Sequence, residues 1–179
     1  RDQKKSYKRA ELIVVTKCKT DLTKVEAERI KKEIRPLSHQ KIFFTRIAYD
    51  RPYHLVNKQG QWLGENTEVL LVTGIANPRP IKKLLEEHSH GYQMIQYRDH
   101  HIFTIDDLEE IKQRFKAIES KEKLILTTEK DAVRLDKFRE VLDGLPIYVV
   151  PIRHEFLFGE EQEFRSTVID FIKNFKSRA

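Results

Sequence analysis

The sequence has few cysteines, no long apolar run and no glycine-rich phosphate loop, so it lacks the features of disulfide-linked, membrane-spanning and P-loop proteins. It contains one cysteine, Cys18, among 179 residues, which excludes an internal disulfide framework and fits a reducing compartment. No apolar run approaches the length of a membrane span. None of the six glycines lies in a G-x-x-x-x-G-K-[ST] motif, so these residues include no phosphate-binding loop of that kind.

The charge that is present favours an anionic partner. The chain is 39% hydrophobic and 35% charged, as is typical of a folded chain with a real core, and its net charge is +6. Aromatic residues do not interleave with the basic clusters as they do where bases are stacked, so we expect no nucleic acid partner. The basic clusters, which could face phosphate or anionic lipid, contain Lys4, Lys5, Lys8, Arg9, Lys173, Lys176 and Arg178.

From residue 68 onward, apolar strands alternate with amphipathic helices. This alternation predicts an α/β fold with a mostly parallel, Rossmann-like sheet and helices on both faces. The expected strands are 68–74, 91–97, 123–127 and 146–150, and the expected helices are 78–88, 104–119, 128–142 and 160–176.

A strand-helix-strand piece precedes this alternation. We expect strands at 11–16 and 41–47, with a helix between them that Thr20 or Asp21 opens. Residues 49–66 are richer in proline and glycine and contain only short apolar segments. We expect two short extended segments around a turn there, which form a flexible, hairpin-like connector and a domain boundary.

Three loops follow the carboxyl ends of expected strands. Asp99 and His100 lie in one loop, Asn77 can cap the helix after another, and Thr128 with Asp131 resembles a capping pair in the third. In a parallel sheet these loops meet at one edge, which is where ligands bind. That edge is then lined by Thr73, Asn77, Asp99, His100, Thr128, Glu129 and Lys130.

The residues alone leave their chemistry open. Asp99 can orient an imidazole that exchanges a proton near neutral pH, or it can simply cap a turn with both histidines on the surface. The run Asp99-His100-His101 also invites a metal-dependent phosphoesterase, although a usable metal site needs more ligands. For segment 128–131, helix capping and ion pairing explain the residues as well as ligand contact does.

Three segments carry a resemblance to a known family. They are Gly74-Ile75-Ala76-Asn77-Pro78, Asp99-His100-His101-Ile102-Phe103 and Leu126-Thr127-Thr128-Glu129-Lys130-Asp131-Ala132-Val133. In this order and spacing they resemble the C-terminal half of the tetraacyldisaccharide 4'-kinases, and the resemblance covers nearly all 179 residues. It implies transfer of the ATP γ-phosphate to the 4' hydroxyl of a tetraacyldisaccharide 1-phosphate in lipid A biosynthesis.

The resemblance also implies a division of the chain. In that family a P-loop N-terminal domain and a smaller α/β C-terminal domain are joined by a two-stranded linker. Residues 1–48 would then be the C-terminal part of the nucleotide-binding domain, residues 49–66 the two-stranded linker, and residues 67–179 the α/β C-terminal domain.

Particular residues match the family's functional positions. Asp99 and His100 match its catalytic Asp-His motif, in which the histidine partners a carboxylate from the other half. Arg1 and Asp2 resemble an Arg-Glu pair close to the phosphates and the metal. The residues expected to line the cleft are Asn77, Thr128, Glu129 and Lys130.

The cofactors implied are ATP and Mg²⁺, with ligands mostly in the N-terminal half of the family. The implied partners are the acylated disaccharide 1-phosphate and, through the full-length protein, the anionic cytoplasmic surface of a bacterial inner membrane. The chain begins with Arg1 rather than Met, and we expect it to be half an enzyme that is inactive alone. The alternatives are an Asp-His-His metal phosphoesterase and a non-catalytic lid or binding module.

Overall fold

A computed structural model describes residues 4–176, so Arg1 and Asp2 lie outside the described residues. The strands are β1 (Leu12–Val15), β2 (Lys41–Tyr49), β3 (Tyr53–His54), β4 (Glu68–Thr73), β5 (Gly91–Gln96), β6 (Lys123–Thr128), β7 (Ile147–Val150) and β8 (Ile152–Phe156). The helices are α1 (Lys24–Ile34), α2 (Arg79–His88), α3 (Ile105–Lys116), α4 (Glu129–Leu135), α5 (Arg139–Leu142) and α6 (Glu161–Lys176). Short 3-10 turns occupy Lys4–Arg9, Asp136–Phe138 and Leu157–Gly159.

The chain forms two compact units. The first combines the described residues up to Ala48 with those from Arg153 onward, and the second is Tyr49–Ile152. This grouping differs from the expected boundaries, because β8 and α6 belong with the first unit rather than with residues 67–150. The chain therefore passes between the units twice, along β2 and again along β8.

The first unit contains a three-stranded sheet in the order β1-β2-β8, with β1 parallel to β2. The ring of Phe43 on β2 contacts the rings of Phe156 and Phe164 edge-on, at centroid distances of 6.2 and 5.3 Å. These aromatic contacts explain why the end of the chain packs here. Strand β8 was not expected from the sequence, because its central residues are polar and exposed.

Helix α1 begins later than the sequence indicated. Thr23, not Thr20 or Asp21, is the N-cap, and it forms a capping box with Glu26. The Thr23 hydroxyl accepts a hydrogen bond from the Glu26 amide while the Glu26 carboxylate accepts one from the Thr23 amide, so two otherwise unpaired donors are satisfied.

The second unit contains a five-stranded sheet in the order β3-β7-β6-β4-β5. Strands β7, β6, β4 and β5 are parallel, and β3 is antiparallel to β7. Side chains of β4 alternate between two apolar clusters: Leu70 and Val72 pack with α3, and Val69 and Leu71 pack with α2. The expected α/β class, with a mostly parallel sheet and helices on both faces, is confirmed.

The segment 49–66 is hairpin-like, as expected, but only one of its two extended parts is a regular strand. Strand β3 joins the edge of the five-stranded sheet, and Gly60 pairs back with Tyr53 in an isolated antiparallel bridge. Leu55 is buried in the core of the second unit. The expected helix at 128–142 is also divided, since α4 ends at Leu135 and a 3-10 turn separates it from α5.

No helix within residues 4–176 is both long and apolar enough to cross a membrane.

Candidate functional site

Three loops meet at one edge of the five-stranded sheet, as the sequence predicted. Strand β4 lies between β5 and β6, with Thr73 opposite Gln96 and Val72 opposite Thr127. Because all three strands are parallel, their carboxyl ends lie side by side. The residues that follow them, which include the Asp99-His100 pair, therefore share one edge.

A buried carboxylate stands at the centre of this edge. Asp131 is fully buried, and its Oδ2 accepts hydrogen bonds from the Thr73 hydroxyl at 3.1 Å, the Gly74 amide at 3.0 Å and the Thr128 hydroxyl at 2.8 Å. The Asp131 amide in turn donates to the Thr128 hydroxyl at 3.2 Å. One side chain thus joins the end of β4 to the start of α4.

Arg134 extends this connection to the third loop. Its Nη1 donates to Asp131 Oδ1 at 3.0 Å, and its Nη2 lies 3.3 Å from Nδ1 of His100. The carboxylate of Asp131 therefore accepts four hydrogen bonds, three at Oδ2 and one at Oδ1. A buried charge that is paired and fully hydrogen-bonded is one that a fold can retain.

Neither Asp131 nor Arg134 was among the expected site residues. The sequence did contain part of the signal, since Thr128 and Asp131 form the expected capping pair at the start of α4. The contact with Gly74 joins residues 57 positions apart and depends on the strand order, which the sequence does not state.

Asp99 and His100 are brought together at the end of β5. The His100 amide donates to Asp99 Oδ1 at 3.1 Å, and His100 Nε2 lies 3.6 Å from Asp99 Oδ2. His100 has a left-handed backbone with φ of 63°, and 74% of its side chain is exposed. Asp99 therefore caps the turn, which was one of the two expected roles. It also lies beside an accessible imidazole, which the other expected role, orienting that imidazole, requires.

The neighbouring His101 faces a different partner. Its Nε2 lies 2.8 Å from Asp107 Oδ2, and its ring stacks on Tyr97 at a centroid distance of 4.4 Å. Burial raises the pKa of Asp107, but hydrogen bonds from His101 and Thr104 outweigh it, so the pKa is below its ordinary value. Asp107 also completes the capping box of α3 with Thr104, so His101 supports the start of that helix.

The two imidazoles do not converge on a common point for a metal ion. His100 Nδ1 faces a guanidinium and His101 Nε2 faces a carboxylate that caps a helix. Across residues 4–176, no group of three or more His, Cys, Asp or Glu side chains is placed to hold a metal ion.

Close packing at this edge depends on Gly74. A Cβ atom added to Gly74 would lie 3.1 Å from the Arg98 carbonyl oxygen, 3.3 Å from Asp131 Oδ1 and 3.4 Å from His101 Cβ. The first two distances are tighter than nine in ten real Cβ contacts, and the third is at the lower limit of ordinary van der Waals contact. Glycine therefore lets the loop after β4 approach both neighbouring loops.

The remaining expected residues have local roles or are exposed. Asn77 Oδ1 accepts a hydrogen bond from the Arg79 amide at 3.2 Å, but the N-cap of α2 is Pro78, so the expected cap at Asn77 is wrong by one residue and the expected helix start at Pro78 is also one residue early. Glu129 Oε2 accepts one from the Ile152 amide at 3.1 Å. Lys130 is exposed in the first turn of α4.

Comparisons with known proteins agree in one result. A family model described as tetraacyldisaccharide-1-P 4'-kinase matches residues 1–173. The tetraacyldisaccharide 4'-kinase of Bacteroides fragilis strain YCH46 is 32% identical over 182 residues, covering 97% of this chain and 48% of the relative. The enzyme of the same name from Phocaeicola vulgatus is 30% identical over 179 residues, covering 97% of this chain and 49% of the relative. The chain thus spans about half the length of the curated relatives it matches.

A solved structure shares the fold. The crystal structure of LpxK from Aquifex aeolicus in complex with ATP superposes with a TM-score of 0.53, covering 95% of this chain and 45% of that chain. Because only 14% of the residues are identical, this likeness shows the fold alone.

Proposed function

Because the chain belongs to the tetraacyldisaccharide-1-P 4'-kinase family, we propose that it is the C-terminal portion of a lipid kinase. The reaction is transfer of the ATP γ-phosphate to the 4' hydroxyl of a tetraacyldisaccharide 1-phosphate, a step of lipid A biosynthesis. The observation that carries this proposal is the family match over residues 1–173. The ATP in the structure of the fold relative from Aquifex aeolicus supports ATP as the donor.

Within that reaction, Asp99 and His100 are the catalytic pair of this chain. A sugar hydroxyl that attacks a phosphorus atom must lose its proton, and an imidazole can hold or pass on a proton near neutral pH. His100 is exposed at the carboxyl end of β5, beside the Asp99 carboxylate. Phosphoryl transfer depends mainly on positioning and charge stabilisation, so an imidazole held at a fixed place is a useful contribution.

The residues that bind ATP and Mg²⁺ lie mostly in the part of the family that this chain does not cover. The sequence has no G-x-x-x-x-G-K-[ST] loop, and residues 4–176 place no three metal-ligating side chains together. A bound magnesium ion would neutralise charge on the phosphates. Arg1 and Asp2 are proposed to lie close to the phosphates and the metal.

The proposed domain division follows the compact units. Residues 1–48, together with β8 and α6, are the end of the nucleotide-binding domain, and Tyr49–Ile152 is the α/β C-terminal domain. The two-stranded linker is then formed by β2 and β8, the neighbouring strands along which the chain passes between the units, rather than by residues 49–66. The cleft-lining residues are Asn77, Thr128, Glu129 and Lys130, of which Lys130 is the exposed cation.

The proposed partners are an acylated disaccharide 1-phosphate and, for the full-length protein, the anionic surface of the bacterial inner membrane on its cytoplasmic side. The net charge of +6 supports both, because each presents phosphate groups. A metal phosphoesterase is not favoured, because His100 and His101 face different partners. A non-catalytic lid is not favoured by the family match.

The test is His100→Ala in the full-length protein that contains this chain. Transfer of labelled phosphate from ATP to the lipid should show kcat and kcat/KM falling together, by roughly tenfold to thousandfold, as expected for a group that handles a proton. His90→Ala is the matched control, since His90 directly precedes β5 at the opposite end of the same strand. A raised KM for the lipid with an unchanged kcat would assign His100 to substrate binding instead.

A further inference from the structure

The guanidinium of Arg134 lies between a buried carboxylate and the exposed imidazole of His100. We propose that Arg134 is a positioning residue that fixes the tautomer and the orientation of His100. This inference rests on the proposed function, in which His100 handles a proton, and it adds a residue that acts only through His100.

The anchor of Arg134 is unusually well fixed. Its Nη1 donates to Asp131 Oδ1 at 3.0 Å, and the other oxygen of Asp131 accepts from Thr73, Gly74 and Thr128. Asp131 is fully buried, and the Arg134 side chain is 22% exposed. Because the guanidinium is planar and its Nη1 is held by Asp131, its Nη2 has little freedom to change direction.

The contact with His100 determines which ring nitrogen carries the proton. Nη2 of Arg134 lies 3.3 Å from Nδ1 of His100, and a guanidinium can only donate hydrogen bonds. Nδ1 must therefore accept with its lone pair, which leaves the proton of the neutral imidazole on Nε2. Nε2–H is then the group that the neutral ring can donate to a carboxylate, and Nε2 lies 3.6 Å from Asp99 Oδ2.

The backbone of His100 holds the ring in place for this contact. Its φ of 63° is in the left-handed region, which non-glycine residues adopt at some energetic cost. The hydrogen bond from the His100 amide to Asp99 Oδ1 stabilises that turn from within the loop. Asp99 thus holds the backbone while Arg134 holds the ring.

The chain offers a matched control for Arg134. Arg139 pairs with Asp136, three residues earlier, at 2.7 Å, so it has the same kind of partner as Arg134, which pairs with Asp131 at the same spacing. The Arg139 pair is half exposed on both sides, whereas Asp131 is fully buried.

The experiment is nitrogen NMR of the ¹⁵N-histidine-labelled chain at a pH where the imidazole of His100 is neutral. The His100 signals are assigned by their loss in His100→Ala, and the shifts of the two ring nitrogens report the ratio of the Nε2–H to the Nδ1–H tautomer. We expect Arg134→Met to lower this ratio by roughly fivefold, equivalent to about 1 kcal/mol for one hydrogen bond. Arg139→Met should leave the ratio unchanged, and the tautomer of His101, which bonds to Asp107, should not change in either variant.

An unchanged ratio in Arg134→Met, or an equal fall in Arg139→Met, would overturn the proposal. If Arg134→Met does not fold, Arg134→Lys replaces it, because the lysine keeps a cation beside Asp131 but is a single, compact donor that does not bridge two partners. An unchanged ratio in that variant would count equally against Arg134. The readout needs no phosphate transfer, so a full-length protein that lacked kinase activity would refute the proposed function without changing this result.

Discussion

Replacing Asp131 by alanine tests whether one carboxylate holds the site edge together. The substitution removes the acceptor of four hydrogen bonds and leaves the Thr73 hydroxyl and the Gly74 amide buried without a partner. Arg134 loses its hydrogen bond to Asp131 as well, but its side chain is 22% exposed, so water can hydrate part of the guanidinium. Breaking a buried ion pair by removing one partner costs about 3–5 kcal/mol, and we expect Asp131→Ala to fall in that range.

The loss in free energy of unfolding caused by Asp131→Ala is measured best within the second unit, because a chain with two compact units need not unfold in one transition. Hydrogen exchange of the backbone amides in the central strands β4 and β6 reports the free energy of opening that sheet. Urea unfolding followed by the same amides gives a second measure of the same difference.

The control is Asp136→Ala, which also removes an acid from an Asp-Arg pair spaced three residues apart. Asp136 is 50% exposed, so its pair with Arg139 should contribute less than about 1 kcal/mol. A loss below about 1 kcal/mol for Asp131→Ala, or a loss equal to that of the control, would refute the view that this carboxylate organises the three loops.

Two further substitutions probe the same edge. Gly74→Ala should destabilise the second unit by about 1–3 kcal/mol in thermal unfolding, because its Cβ would meet three neighbours, whereas Gly91→Ala, with no atom within 4 Å, should not. Asp107 has a lowered pKa in the folded state, so it stabilises the protein above the ordinary aspartate pKa and loses that contribution as the pH falls through the lowered value. Asp107→Asn should therefore lower stability at neutral pH and flatten its decline below about pH 4, and the exposed Asp106→Asn should do neither.

Features that depend on neighbours in sequence were predictable. The apolar runs of β4, β5 and β6 predicted their order along the chain and their parallel pairing, and the cap at Thr128 followed from its residue type. The meeting of three loops at one edge followed in turn, because parallel strands place their carboxyl ends together.

Features that depend on distant contacts were not predictable in the same way. Asp131 looked like one half of a capping pair, and only the position of β4 beside β6 places it next to Gly74. The sequence also did not indicate which imidazole contacts Asp107 of α3 and which contacts Arg134 of α4. His100 and His101 are adjacent, and the left-handed backbone of His100 directs the two rings to different partners. Strand β8 is short and largely polar, so the packing of Phe156 against Phe43 gave no periodic signal.

The position of β1 has a practical consequence for work with this chain in solution. In the part of the chain that the structure describes, β1 is the outermost strand of its sheet and pairs with β2 alone. Its sequence is Leu-Ile-Val-Val, and Val14 is 38% exposed. An apolar edge strand with unpaired backbone groups is a template for strand addition and aggregation. Aggregation of the purified chain should therefore increase with protein concentration.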